Sequence, residues 1–313
     1  MTSSVATISG GLLGLAASGG VAAISAALAR RPRPYLAGAL AERADARRDP
    51  LGAALRHGYA AMAVGVRLGP AHLGPARRLR LAGADAVDDR DPARTLHRMV
   101  LEPLAARAAA RASAARQRAR PPFLLLLEPV DADPAEMVGV LDVLLPEYAG
   151  LVSHIDRGRL VTGPVTVVLA GRRWPRDVVA AQPDRHLFLE GTFADLGSAD
   201  APPMLVPLLA EPLRRCLGGN MYPDAGRMPP ESRHLLRAMV RQAHADGRQL
   251  RFTGVPTASW RGTASFAVEL RAAGVDLVGA HRLAATARVL RRSGVTARHR
   301  TVRQRSAAVS QRS

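Results

Sequence analysis

Short apolar runs alternate with helix-like segments along most of the chain, between about residues 33 and 290. Turn-forming residues bound these runs, which is typical of strands. The predicted strands are Pro34–Leu36, Ala60–Leu68, Arg78–Ala82, Phe123–Leu127, Val165–Ala170, His186–Leu189, Met204–Leu208, Gln249–Gly254 and Val275–Val278. The segments between them repeat Ala, Leu and Arg at helical spacing, and the predicted helices are Pro50–His57, Thr95–Arg118, Pro134–Leu145, Arg176–Gln182, Pro230–Ala245, Ser265–Ala273 and Arg282–Leu290. The pattern therefore predicts an α/β fold built from repeated strand–helix units.

The strands have the composition of a sheet that is covered on both faces. Phe123–Leu127 is apolar at every position, which suits a parallel strand with helices around it. About eight such units in about 255 residues favour one (β/α)8 barrel of the TIM type over an open doubly wound sheet. No GxGxxG or GxxxxGK[ST] motif follows any strand, so a nucleotide-binding sheet is not indicated. We therefore predict one barrel domain over residues 33–290.

One predicted helix has clear boundaries. Pro230 is suited to the first helical turn, and Glu231 faces the positive end of the helix dipole. Asp246 breaks the pattern, and Gly247 can adopt the left-handed conformation that often follows a helix.

The N-terminal segment differs from the barrel sequence. Val5–Ala29 contains no charged residue and is long enough, as a helix, to cross a bilayer. Ala27-Leu28-Ala29 fits the A-x-A pattern of a signal-peptidase site. We therefore expect residues 1–29 to be a signal peptide or membrane anchor, with the protein extracytoplasmic, either secreted or anchored through residues 5–29. Arg30, Arg31 and Arg33 follow directly, so the positive-inside rule leaves a cytoplasm-facing anchor as an alternative, and a buried segment is a third.

The C-terminal segment is basic and polar. Residues 291–313 contain seven Arg and no acidic residue, with Ser, Thr and Gln between them. This composition predicts a solvated, disordered tail. A membrane contact through the tail, with anionic lipid, is the functional alternative.

The charge balance is strongly basic, with 44 basic and 26 acidic residues and a net charge of +18. Every basic side chain is Arg, and Arg forks bind oxyanions well, so an anionic partner is expected. Aromatic residues make up only 4% of the chain, too few for a base-stacking platform, and no nucleic-acid partner is expected. A basic surface or nucleic-acid-binding protein remains a weaker alternative that rests on the charge alone. The single cysteine excludes an internal disulfide.

In a barrel of this type, catalytic groups lie at the carboxyl ends of the strands. Glu128 and Glu190 are the acidic groups that we place there, and His281 follows the last strand. Three arginines near strand ends, Arg172, Arg173 and Arg251, are the candidates for anion binding.

Several segments of the chain resemble motifs of one known superfamily. They are His57-Gly58-Tyr59 (like H-G-F), Pro92–Leu96 (like P-x-R-T-L), Leu101–Leu104 (like L-D-P-L), Val165–Gly171 (like V-T-V-V-L-S-G), Ala243–Arg248 (like A-H-x-x-G-R), Arg251-Phe252 (like the start of R-F-W-A-T-P) and Ala273–Leu277 (like the start of A-G-V-D-L-I-N-T-D). In this order and spacing they resemble the PLC-like phosphodiesterase barrels, in the bacterial group related to the altered-inheritance-of-mitochondria family. The resemblance covers residues 33–290 and implies a phosphoric diester hydrolase with a TIM-type barrel and a role in lipid metabolism.

The functional positions of that family are replaced in this chain. Its H-A-H-N-D motif aligns with Leu40–Ala44, and its second catalytic His aligns with Gly83 or Ala84. The metal-binding acids of its V-E-A-D motif align with Ala63 and Gly65, which should share the inner face of the second strand. The family's D-I-K and N-T-D-D motifs align with Leu127 or Glu128 and with Gly279–Arg282.

These replacements predict a barrel that has lost its catalytic site, a pseudoenzyme. It would bind an anionic, phosphate-containing small molecule, a lipid head group or a wall polymer, without a cofactor. The alternative is an active phosphodiesterase with a site rebuilt from Glu128, Glu190 and His281, which would use Ca²⁺ or Mg²⁺. For the favoured interpretation we expect a barrel mouth that lacks proton donors and acceptors and shows no metal-dependent phosphodiesterase turnover.

Overall fold

The barrel is visible in a computed structural model that describes residues 36–83, 91–112, 122–130, 133–171, 174–218, 228–255 and 260–293. Eight parallel strands form the sheet: β1 (Leu36–Ala41), β2 (Tyr59–Leu68), β4 (Phe123–Pro129), β7 (Val165–Leu169), β8 (Phe188–Gly191), β9 (Leu208–Pro212), β10 (Gln249–Thr253) and β11 (Val278–Ala280). They follow one another in the order β10-β9-β8-β7-β4-β2-β1-β11. An isolated parallel bridge between Arg251 and Leu277 links the two ends of this order. The sheet is therefore a nearly closed barrel, and the predicted α/β, TIM-type architecture is confirmed.

The strands bury both of their faces. On the inside, one cluster consists of Leu40, Ala61, Ala63, Leu126, Ile155, Val168, Ala170, Phe188, Leu208 and Leu277. The alternate residues, such as Met62, Leu125 and Leu127, belong to a second cluster with the helices. This alternation follows from the two-residue period of a strand, and it explains why the strands are apolar at nearly every position.

The helices surround the barrel. Their bounds are α1 (Pro50–Arg56), α2 (Pro75–Arg78), a π-helix (His97–Leu101) that continues into α3 (Glu102–Ala112), α4 (Pro134–Leu144), α5 (Arg176–Ala180), α6 (Leu213–Leu217), α7 (Pro230–Ala245), α8 (Trp260–Ala273) and α9 (Leu283–Arg292). Short 3-10 turns lie at Ala44–Ala46, Leu145–Tyr148 and Phe193–Asp195. The boundaries predicted for α7 are confirmed, and Gly247 has a φ of 80°.

Two short strand pairs stand apart from the barrel order. β3 (Leu79–Leu81) pairs antiparallel with the end of β2. We had predicted Arg78–Ala82 as one of the barrel strands, and this prediction was wrong. β5 (His154–Asp156) and β6 (Arg159–Val161) form a hairpin that the sequence reasoning missed. Ile155 of the hairpin packs into the inner cluster. Val152, which precedes the hairpin, pairs with Val165, the first residue of β7. The hairpin therefore covers the amino-terminal end of the barrel.

Several predicted boundaries were wrong. The first strand, predicted to end at Leu36, continues to Ala41, and the strand predicted at Met204–Leu208 begins only at Leu208. The strand predicted at Val275–Val278 begins at Val278. In the last two cases the apolar run includes buried residues before the strand, and burial alone does not distinguish these from strand residues. The last helix continues through Arg291 and Arg292, which we had assigned to the tail.

The predicted signal or anchor segment, residues 1–29, lies outside the described residues, and so does the tail beyond residue 293. Export and membrane contact therefore stay predictions from the sequence. Among the helices of the described part, none combines the length and apolar character that a bilayer crossing needs.

Candidate active site at the carboxyl end of the barrel

Three glutamates lie on the inner face of the barrel. Each follows, two residues later in the sequence, an apolar residue of the inner cluster. Leu40 precedes Glu42, Leu126 precedes Glu128, and Phe188 precedes Glu190. Because residues i and i+2 of a strand share a face, these carboxylates lie above the apolar layer at the carboxyl ends of β1, β4 and β8. This is the end of a TIM-type barrel that carries active sites.

Arg251 reaches into the same layer from β10. Its neighbours Leu250 and Phe252 belong to the outer cluster, so its own side chain faces the barrel interior. Its Nε donates to Glu190 Oε1 at 2.5 Å and its Nη2 to Glu190 Oε2 at 3.1 Å. Both side chains are only 5% exposed. Burial opposes the charge of the guanidinium, but Glu190, Glu128 and Glu42 together raise the pKa of Arg251.

Glu190 is also fixed from a second side. The backbone N–H of Gly171, directly after β7, donates to Glu190 Oε2 at 2.9 Å. Hydrogen bonds between a guanidinium and a carboxylate are among the stronger ones in proteins, and here they and the Gly171 N–H hold the Glu190 side chain from two sides. Glu190 therefore forms a fixed, charged floor with Arg251.

Glu128 lies beside this floor but is open to solvent. Its Oε1 is 3.8 Å from Arg251 Nη2, and 46% of its side chain is exposed. Partial burial raises the pKa of Glu128; Arg251 opposes the rise, while Glu190, Glu42 and Asp45 add to it. A carboxyl group in such surroundings holds its proton to a higher pH than usual and can act as a general acid.

Glu42 and His281 form the second solvent-facing group. His281 Nε2 lies 3.2 Å from Glu42 Oε2, and the side chains are 46% and 20% exposed, respectively. Burial raises the pKa of Glu42, against the opposing charges of His281 and Arg251. Gly279 makes room for this pair, because a Cβ at that position would fall on the Glu42 carboxylate.

Asp45 completes the acidic side of the mouth. It is buried, and burial raises its pKa, although a backbone hydrogen bond from Gly65 opposes the rise. Arg94 is also buried and donates to the carbonyl oxygens of Asp45 and Arg47, which holds the loop after β1 in place. Arg94 belongs to the segment that resembles P-x-R-T-L, so that segment positions the mouth rather than reacting in it.

The expectation of a mouth without proton donors or acceptors was wrong. Glu42, Glu128 and His281 each place a proton donor or acceptor at the barrel mouth. Of the residues at the mouth, Glu42 and Asp45 were not predicted as site residues. Glu42 was missed because the first strand was placed too early, at Pro34–Leu36. With the strand at Leu36–Ala41, Glu42 is the residue that follows it.

The other predicted site positions are two small residues of β2 and three arginines near strand ends. Ala63 lies in the inner cluster, and Gly65, two residues further along β2, shares its face, so the inward orientation of both positions is confirmed. Arg172 and Arg173 lie outside the described residues. Anion binding by Arg251 stays a prediction; in the structure its guanidinium is bound by Glu190 and faces Glu128.

The positions of the resembled family's metal acids, Ala63 and Gly65, offer no side-chain oxygen, so they do not fit a divalent cation. Within the part of the chain that the structure describes, no three His, Cys, Asp or Glu side chains are grouped like metal ligands. Arg251 supplies the positive charge that faces Glu190 and Glu128.

Two other segments that carry the resemblance have structural contacts away from the mouth. His244 Nε2 lies 2.8 Å from Asp276 Oδ2, and the same oxygen accepts the N–H of Leu250 at the start of β10. Arg248, 1% exposed, donates to the carbonyl oxygens of Val206 and Asp195. The His244–Asp276 contact lies toward the amino-terminal ends of the strands, the end of such barrels associated with stability, whereas Arg248 contacts the segment between β8 and β9.

No known protein family, curated protein or solved structure matches this chain in the comparisons.

Proposed function

We propose that this protein is a hydrolase that works by acid–base catalysis at the carboxyl end of its barrel. The observation that carries the proposal is that Glu128 and Glu42 lie near enough to interact with each other and with the buried Arg251 of the Glu190–Arg251 ion pair, with His281 beside Glu42. The side chains of Glu128 and His281 are each 46% exposed, so a substrate can reach both. The resemblance to PLC-like phosphodiesterases makes a phosphodiester the substrate to test first.

The groups have distinct roles in this proposal. The Glu42 carboxylate, 3.2 Å from His281 Nε2, attracts that side of the ring and orients it, so that Nδ1 can take a proton from a water molecule. The water oxygen forms a bond to phosphorus, and the bond to the leaving oxygen breaks. Protonated Glu128 delivers its proton to that leaving oxygen. Positioned acid–base groups of this kind contribute about 10²–10⁴-fold each.

The raised pKa of Glu128 gives this mechanism a pH dependence. Activity requires protonated Glu128, so turnover falls as the pH rises through that raised pKa. Protonation also reduces the negative charge of a mouth that carries Glu42, Asp45 and Glu190, which favours the approach of an anionic phosphodiester.

The test is hydrolysis of bis(4-nitrophenyl) phosphate, followed at several pH values with and without a chelator. We expect turnover that resists the chelator and falls by about 10²-fold or more in Glu128→Gln and in His281→Asn. The matched controls are Glu147→Gln and His234→Asn. Both change exposed residues that take no part in the proposed site, so turnover should stay at the wild-type level. Absence of turnover in the wild type, or unchanged turnover in both site variants, contradicts the proposal.

A second candidate function is binding of a phosphate-containing ligand without turnover. It is favoured by Ala63 and Gly65, which face the barrel interior where the resembled family carries its metal acids. In that case inorganic phosphate or glycerol phosphate raises the melting temperature in proportion to ln(1 + [L]/Kd), while no phosphodiester is consumed.

A further inference from the structure

Arg251 connects opposite sides of the barrel. In the strand order, β10 lies two strands from β8, which carries Glu190, and four strands from β4, which carries Glu128. In a barrel of eight strands, a separation of four is the opposite wall. The Arg251 side chain therefore approaches a carboxyl group across the interior while its Nε and Nη2 are bound by Glu190.

We propose that Arg251 is a positioning residue, a built-in counter-ion that Glu190 locks in place and that controls the protonation of Glu128. This role rests on the proposed function in so far as Glu128 is the acid of the reaction. The electrostatic coupling itself is a property of the resting protein and is measurable without any substrate.

The geometry supports the coupling in three steps. The two hydrogen bonds to Glu190 use Nε and Nη2, so the guanidinium plane is fixed by a two-point contact. Nη2 is also the atom nearest to Glu128, at 3.8 Å, so one nitrogen serves both carboxylates. The Arg251 side chain is only 5% exposed, so water screens its charge less than that of a surface arginine.

The charged groups that act on Glu128 have opposite signs. Arg251 favours the carboxylate, whereas Glu190, Glu42 and Asp45 favour the protonated form. Removal of Arg251 must therefore raise the pKa of Glu128. Removal of the Glu190 charge must lower it, because one neighbouring anion is lost and Arg251 is freed to face Glu128 alone.

The experiment is an NMR titration of the full-length protein, with ¹³C-labelled Glu side chains and the Glu128 signal assigned through Glu128→Gln. We expect the midpoint of Glu128 to rise by about one pH unit or more in Arg251→Met and to fall in Glu190→Gln. Arg251→Lys, which keeps the charge but not the two-point contact, should lie between Arg251→Met and the wild type. An unchanged midpoint in both Arg251→Met and Glu190→Gln, or a shift of the same sign in both, overturns the proposal.

The design also separates coupling from misfolding. Arg251→Met leaves Glu190 buried without its partner and can unfold the barrel, which circular dichroism detects. In that event Arg251→Lys and Glu190→Gln decide the outcome, because a rise in the first and a fall in the second support the coupling and any other pair of shifts overturns it. If the midpoints shift as expected but no phosphodiester is hydrolysed, the proposed function fails and this inference stands. If phosphodiesters are hydrolysed but the midpoints do not shift, the reverse holds.

Discussion

At the scale of single residues, the site depends on a glycine, Gly279, which leaves space beside Glu42. Glu42 can approach His281 because β11 carries glycine at position 279, where a Cβ would overlap the carboxylate. The contact between Glu42 and His281 therefore requires Gly279, although Gly279 has no reactive group.

Gly279→Ala tests this dependence. The new methyl group must displace Glu42, which breaks its contact with His281, so we expect phosphodiester turnover to fall by about 10²-fold. The measurement is the turnover assay together with a melting curve. Gly139→Ala, in α4 with open space around it, is the matched control and should keep full activity with equal or higher stability, since alanine favours a helix. Full activity in Gly279→Ala would show that Glu42 has no role in catalysis.

At the scale of elements, short polar contacts fix the loops that follow the strands. After β8, Asp195 accepts the N–H of Thr192 at 2.7 Å in a capping box. Arg176 of α5 donates to both oxygens of the same carboxylate, with Nη1–Oδ1 at 2.5 Å and Nη2–Oδ2 at 3.1 Å. One side chain thus connects the β8 loop to the helix of the preceding unit.

Asp195→Asn should expose the pH dependence of this contact. The hydrogen bonds from Arg176 lower the pKa of Asp195 in the folded protein. A lowered folded-state pKa gives stability that is present above the unfolded value and is lost as the pH falls through the folded value. We expect Asp195→Asn to reduce the free energy of unfolding by about 1–2 kcal/mol near neutral pH, and less in acid.

Urea unfolding at a series of pH values measures that difference. Asp200→Asn, at an exposed position of the next loop, is the control and should lie within about 0.5 kcal/mol of the wild type throughout. A difference for Asp195→Asn that grows in acid would refute the assignment.

At the scale of the whole molecule, the barrel has two apolar regions separated by the sheet. The inner cluster is enclosed by the strands, so a cavity there is surrounded by backbone that cannot easily move inward. Leu126 belongs to this cluster and is fully buried, whereas Leu235, on α7, is 42% exposed.

Leu126→Ala should therefore reduce the free energy of unfolding by about 2–5 kcal/mol. Leu235→Ala should change it by less than about 0.5 kcal/mol, because little apolar contact is lost at an exposed position. Urea titrations of both variants provide the comparison. Similar losses in the two variants would argue against an enclosed inner core.

The barrel architecture could be predicted from local patterns along the chain. Strands such as Phe123–Leu127 are apolar on both faces and alternate with helices, which requires a covered parallel sheet and favours a barrel. The two-residue period also determined that Ala63 and Gly65 face inward. These are local consequences of chain geometry, so they could be derived without knowing which strands are neighbours.

The composition of the site, in contrast, depends on which residues the closed barrel brings together. Arg251 is 61 residues from Glu190 in sequence, yet they form one ion pair, and no local pattern distinguishes this arginine from the many others. Likewise, His281 and Glu42 meet because β11 pairs with β1 when the barrel closes. Whether a strand-end carboxylate is neutralised, protonated or free depends on which charges the closed barrel brings within a few ångströms, and that distance is a property of the fold rather than of the sequence pattern.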